Sequence, residues 1–167
     1  MDFFRQIMDI VGYAGTAWLI ISGTVIFIAW FKGILTPVWR LGNGLAKRKI
    51  AIFAKGDNKE SFKNLLLDSS LFNPKNIQII TKIEDFVRCE SSALFLVVWD
   101  DFGNDISSIL NKKSDKTALV IFSKPLQLLE KDWGVLDPHR NVTVVNFKGR
   151  LLNDMLVSLM VTGYDKK

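Results

Sequence analysis

The chain has 167 residues, with 22 lysines and arginines against 17 aspartates and glutamates, for a formal net charge of +5. Such mild basicity does not by itself imply nucleic acid, and the length suits one domain. A single cysteine (Cys89) and a single histidine (His139) exclude an internal disulfide and leave too few soft ligands for a transition-metal site.

Residues 1–9 form a short flank in which Arg5 is the only base. Residues 10–31, IVGYAGTAWLIISGTVIFIAWF, contain no charged side chain and are bounded by Asp9 and Lys32. A helix of that length spans about 33 Å, against about 30 Å of bilayer hydrocarbon. The acidic start and the length of the run argue against a cleaved signal peptide. A domain of this size has little room to enclose a helix that is apolar all round. The run is therefore expected to be a transmembrane helix, with Trp18 mid-span and Trp30, Phe31 and Trp39 placed as an aromatic belt. On a helical projection, Gly12, Thr16, Gly23 and Trp30 fall within about 40° of one another, and Gly15, Leu19, Ser22 and Ile26 fill the adjoining arc. Small and weakly polar residues on one face favour close approach to further helices. One span cannot enclose a pore, but a ring of copies, a tetramer for example, can do so. Thr16 and Ser22 would line it, or apolar residues would gate it by dewetting.

Residues 32–47 are expected to form a basic juxtamembrane linker in which Pro37, Gly42 and Gly44 interrupt the helix. From Lys32 to Lys63 the chain carries eight bases and two acids. Lys32, Arg40, Lys47, Arg48 and Lys49 follow the span, against Arg5 before it, so the amino terminus is expected outside and the remainder in the cytoplasm.

Residues 48–167 alternate strand and helix patterns. Strands are expected at 49–54, 77–81, 93–99, 117–122 and 141–147, the third and fourth being uninterrupted apolar runs of the kind buried on both faces. Helical spacing occupies 58–72 and 149–163, and DDFGNDISSILNKK (100–113) carries N-cap-type residues and then Ile106, Ile109 and Leu110 at helical spacing. Shorter helical turns are expected near 83–89 and 125–133. This alternation calls for an α/β domain with a five-stranded parallel sheet and helices on both faces. The pattern is similar to flavodoxin-like folds, which include receiver and TIR domains, and implies strand order 2-1-3-4-5.

Ligands of such sheets bind beyond the carboxyl ends of the strands. The loops there, KGDNKES, DDFGND, SKP and KGR, supply Lys55, Gly56, Asp57, Asn58, Asp100, Asp101, Asn104, Ser123, Lys124, Lys148 and Arg150. The bases, Gly56 and helix amino termini suit phosphate groups, and Asp100 or Asn104 can accept from a ribose hydroxyl or a base. Neither a P-loop nor a G-x-G-x-x-G spacing is present. Asp100, Ser123 and Lys148 resemble the receiver set of phosphoacceptor, hydroxyl and lysine. However, Ala54, Lys55 and Gly56 stand where receivers carry metal-binding acids. DDFGNDISSILNKK lacks the glutamate that TIR enzymes use. No catalytic group, cofactor or metal is therefore expected. Cys89, Trp99 and Trp133 read as packing residues, and His139 as a turn residue.

The layout of one span, a basic neck and a small phosphate-friendly domain resembles the membrane effectors of bacterial anti-phage defence, including those of CRISPR, CBASS and Hailong systems. The resemblance implies a homo-oligomer in the bacterial inner membrane. A nucleotide or oligonucleotide signal, made by an enzyme encoded nearby, would bind at the strand ends and drive the spans to breach the bilayer. The alternatives are a membrane-anchored interaction adaptor with a degenerate receiver-like domain and a membrane-bound hydrolase or phosphotransfer protein. If residues 10–31 dissolve in lipid, the full-length chain stays in the membrane pellet through an alkaline carbonate wash; recovery in the supernatant would remove the span.

Overall fold

The computed structural model describes the backbone of residues 2–164 and the side chains of residues 11–33 and 47–162. The chain divides into two compact units, Met1–Gly42 and Asn43–Lys167. Helix α1 covers Asp2–Lys47. Within it, Val11–Gly33 has a mean hydropathy of 1.8 and is long and apolar enough to cross a membrane. Its side chains are exposed, Trp18 by 72% and Ile26 by 68%, a surface stable in hydrocarbon and costly in water. Near the end of this stretch the rings of Phe27 and Phe31 stack with centroids 5.7 Å apart.

The expected break after residue 32 does not occur, since the backbone stays helical through Pro37, Gly42 and Gly44 to Lys47. A proline inside a helix removes one backbone bond and bends the axis, and each glycine costs about 1 kcal/mol relative to alanine; neither obliges the helix to end. The side chains of Arg5, Trp39 and Arg40 lie outside the described residues.

The second unit is the expected α/β domain. Strands β1 (Ile50–Phe53), β2 (Ile77–Ile80), β3 (Leu94–Val98), β4 (Ala118–Phe122) and β5 (Val142–Val145) form one sheet in the order β2-β1-β3-β4-β5. Every pairing is parallel, and Ile50 stands opposite both Ile77 and Leu94. Five helices follow in chain order: α2 (Gly56–Asp68), α3 (Trp99–Phe102), α4 (Ile106–Lys112), α5 (Glu130–Leu136) and α6 (Lys148–Tyr164). Short 3-10 turns cover Pro74–Asn76, Ile83–Cys89 and Gly103–Asp105. Helix α2 stops at Asp68, short of the expected residue 72, and Asn73 opens the next turn by accepting from the Lys75 N–H at 3.0 Å.

Strand alternation sends residues to two cores. Ile50, Ile52, Leu94, Leu96 and Val98 meet Phe62 and Leu66 of α2 and Leu151, Met155 and Leu159 of α6. Ala51, Phe53, Phe95 and Val97 meet Phe86, Cys89, Phe102, Ile109 and Leu136 on the opposite face. There Phe53 contacts Phe95 and Phe102 edge-on at 5.4 and 5.7 Å, an arrangement favoured by the ring quadrupoles. The Cys89 thiol is buried and donates to the Phe86 carbonyl; burial pushes its pKa up to about 11, so it is a packing residue rather than a nucleophile. At the start of the domain, Arg48 donates to the Leu159 carbonyl of α6, which also accepts from Thr162 Oγ1 at 3.3 Å. Burial lowers the pKa of Arg48. Truncating a fully buried ring at the centre of the second core, Phe53→Ala, is expected to cost about 3–5 kcal/mol in chemical denaturation. The exposed Val87→Ala should stay within about 0.5 kcal/mol. Equal effects of the two would contradict this packing.

Candidate functional site at the carboxyl edge of the sheet

All five strands end at one edge, and their following loops meet there. Strand β1 passes through buried Ala54 to Lys55, whose extended backbone turns into α2 through Gly56 at φ +50. That conformation is easy only for glycine. The Lys55 N–H donates to Asp101 Oδ2 at 2.9 Å, and Asn58 Nδ2 donates to the same oxygen at 3.1 Å. Asp101 thus reaches from the end of β3 across the switch point between β1 and β3 and supplies an anion at the start of α2, where exposed N–H groups favour one. The Lys55 ammonium lies 4.4 Å from the Phe102 ring centre.

Asp100 turns the other way. It takes the Lys124 ammonium at 2.6 Å and a hydrogen bond from Gln127 Nε2. The Lys124 hydrogen bond, then that of Gln127, holds the Asp100 carboxyl below the usual carboxylate range. Gln127 Oε1 also accepts from the Lys124 N–H at 2.9 Å, and its own N–H returns to the Lys124 carbonyl at 3.2 Å. This closes a turn over Pro125 and Leu126. Leu126 sits at φ 63, where glycine would be at ease, and is 98% exposed. A left-handed conformation costs such a residue about 1–2 kcal/mol.

Ser123 is buried, and its hydroxyl donates to Asn146 Oδ1 at 3.2 Å. Lys148 belongs to the first turn of α6, not to a loop. Its ammonium donates to Ser61 at 2.9 Å and lies 4.9 Å from the Phe62 ring centre. Asp100, Ser123 and Lys148, the receiver-like set, are therefore each held by separate partners, and the lysine facing Asp100 comes from the loop after β4 rather than from the end of β5. Asp57, Asn104 and Arg150 are exposed at the same edge. Trp99 packs half-buried beside the second core, and Gly103 lies against its indole, where an added Cβ would meet the ring at 3.0 Å. His139 lies in the turn after α5, away from this edge in the chain.

Gln127, Asn146, Ser61 and Phe102 belong to these contacts and carry no sequence signal. Each depends on a turn or helix phase that spacing does not reveal. In α1, Thr16, Ser22 and Thr24 donate their hydroxyl protons to the carbonyls of Gly12, Leu19 and Ile20 at 2.8, 3.1 and 2.7 Å. Those hydroxyls retain acceptor capacity for a neighbouring helix. Beyond the adjoining residues and backbone of α1 itself, no atom of the chain lies within 4 Å of where a Cβ would stand on Gly12, Gly15 or Gly23.

No family model matches this chain, and neither a characterised protein nor a solved structure gives a match.

Because the folded pKa of Asp100 is depressed, its ion pair supports the fold above the ordinary carboxylate pKa, and that support disappears as pH falls through the lowered value. Lys124→Met is expected to raise the Asp100 titration midpoint toward that of a free aspartate, read from its carboxyl carbon by NMR. An unmoved midpoint would disprove the coupling.

Proposed function

We propose that this chain is a homo-oligomeric membrane effector: the domain binds a nucleotide or oligonucleotide signal at the carboxyl edge, and its spans gate or breach the inner membrane. The observation that carries this reading is the gathering of Lys55, Lys124 and Lys148 at one sheet edge of a chain that also holds a candidate span. Each lysine is held by a contact that can be exchanged: a ring face, an exposed ion pair or a serine hydroxyl. An exposed pair such as Lys124–Asp100 contributes at most about 1 kcal/mol, so a ligand phosphate can take the lysine at little cost. Asp101 marks where an anion is already welcome, and a phosphate entering there would displace it from the start of α2.

Self-association draws support from the small residues Gly12, Gly15 and Gly23 of α1, open to a neighbour. The exposed Val157, Met160 and Val161 of α6 add apolar surface on the domain. The excess of bases after the span supports an external amino terminus, with the domain in the cytoplasm. A second reading, an anchored adaptor, is favoured by the exposed Leu126 and Phe147 on the same edge, apolar side chains that suit a protein partner better than a phosphate.

In cells carrying the chain with its genomic neighbours and challenged by phage, membrane potential followed with a dye should collapse. Lys55→Glu or Lys148→Glu should abolish the collapse while the protein remains in the membrane. An unchanged potential at normal expression sinks the effector reading, and recovery of one dominant protein with no nucleotide in pull-downs would establish the adaptor.

A further inference from the structure

Strand β2 is an outer strand of the sheet, paired only with β1. The Ile80 carbonyl accepts from the Ala54 N–H at 3.3 Å, so the backbone groups of Ile80 and, by alternation, Gln78 face β1. Those of Ile77 and Ile79 face outward. The Ile77 N–H is taken by the Pro74 carbonyl, which leaves the Ile77 carbonyl and both backbone groups of Ile79 directed away from the sheet. A groove of about 310 Å³ runs along this edge, lined by Ile77, Gln78, Ile79, Ile80, Lys63 and Arg88. Gln78 lines it, and its Oε1 is buried with no hydrogen-bond partner, an acceptor that calls for a donor.

Charge selects the occupant. Lys63 comes from α2, whose Phe62 and Leu66 pack on one face of the sheet. Arg88 comes from the Ile83–Cys89 turn, whose Phe86 and Cys89 pack on the other. One cation therefore flanks the open edge from each side. The opposite charges near them are Glu60, 3.9 Å from Lys63, and Glu84 and Asp85, one turn before Arg88. A second copy of β2 would bring like charges face to face, which is unfavourable.

We propose that the β2 edge receives an extended acidic segment of a partner protein, which adds a strand to the sheet. Backbone pairing at Ile77 and Ile79 supplies affinity, and a donor from the segment satisfies Gln78 once its side chain turns toward the groove. Side chains of an added strand alternate between faces, so carboxylates meeting Lys63 and Arg88 stand at adjacent positions or at another odd spacing. This surface is separate from the carboxyl edge and does not depend on what binds there.

The test uses the full-length chain in detergent micelles and a fluorescent synthetic peptide with Glu and Asp side by side between threonines and valines. Anisotropy should show saturable, salt-sensitive binding, weakened at least about tenfold by Lys63→Glu combined with Arg88→Glu. Ile79→Pro, which leaves the charges and removes the outward N–H, should weaken it comparably, and the Ile79 amide should exchange more slowly in the complex. Equal binding of a peptide with the acids replaced by lysines would overturn the proposal, as would indifference to both variants. Preference for a short oligonucleotide over the peptide, or self-association through this edge in place of peptide binding, would also overturn it.

Discussion

Burial of β1 and β3 on both faces governs the domain. From Ile50 to Phe53 and from Leu94 to Val98 every side chain is apolar and almost wholly excluded from solvent. A backbone in such surroundings must find all its hydrogen bonds in neighbouring strands, so β1 needs β2 and β3, and β3 needs β1 and β4. Polar side chains are excluded from these central strands and collect where they end. Parallel pairing brings all those ends to one edge, where α2, α3 and α6 begin. The concentration of lysines and aspartates there is a consequence of the same apolar packing that holds the sheet together.

Charges at that edge are largely answered from within the chain. Asp100 has Lys124 and Gln127, Asp101 has the start of α2 and Asn58, and Lys148 has Ser61 and the Phe62 ring. A ligand there gains by exchanging partners rather than by filling a void. Exchange gives a small net free energy per contact, and binding that moves the displaced groups couples naturally to a change of shape. Asp101 matters most in this respect. It joins the two loops on either side of the switch point, through the Lys55 N–H and Asn58.

The sheet was legible because doubly buried strands leave an uninterrupted apolar signature: 93–99 and 117–122 contain β3 and β4 whole, each overrun by a residue or two at the ends. The alternation of strands with helices called for a parallel sheet, and the strand order was what its resemblance to flavodoxin-like folds implied. The side-chain partnerships were not legible, because they depend on angles rather than on spacing. Asp100 and Asp101 are neighbours in sequence, yet one turns to the loop after β4 and the other to the start of α2. Lys148 reads as a loop residue because Gly149 follows it, but it opens α6 and points to α2. Pro37 and the glycines after it signalled a break that backbone helicity overrode. The open edge at β2 left no trace either, since Gln78 among isoleucines reads like any half-buried strand residue.

Within the second unit, α6 runs from the sheet edge toward the residues that precede β1. Lys148 begins α6, and Leu159 follows about 17 Å along its axis. The Leu159 carbonyl accepts from Arg48, the residue after the last of α1. Leu151, Met155 and Leu159 pack this helix along its length against one face of the sheet. Arg48 is partly desolvated and would leave a charge poorly satisfied if it let go. A hydrogen bond from a charged group contributes about 1.5–3 kcal/mol. Coupling between distant sites is typically about 1–3 kcal/mol. One contact of this kind therefore lies within the range that such coupling needs. Under the proposed reading, a signal bound at this edge has free energy to pass on only if it interacts differently with two arrangements of the domain.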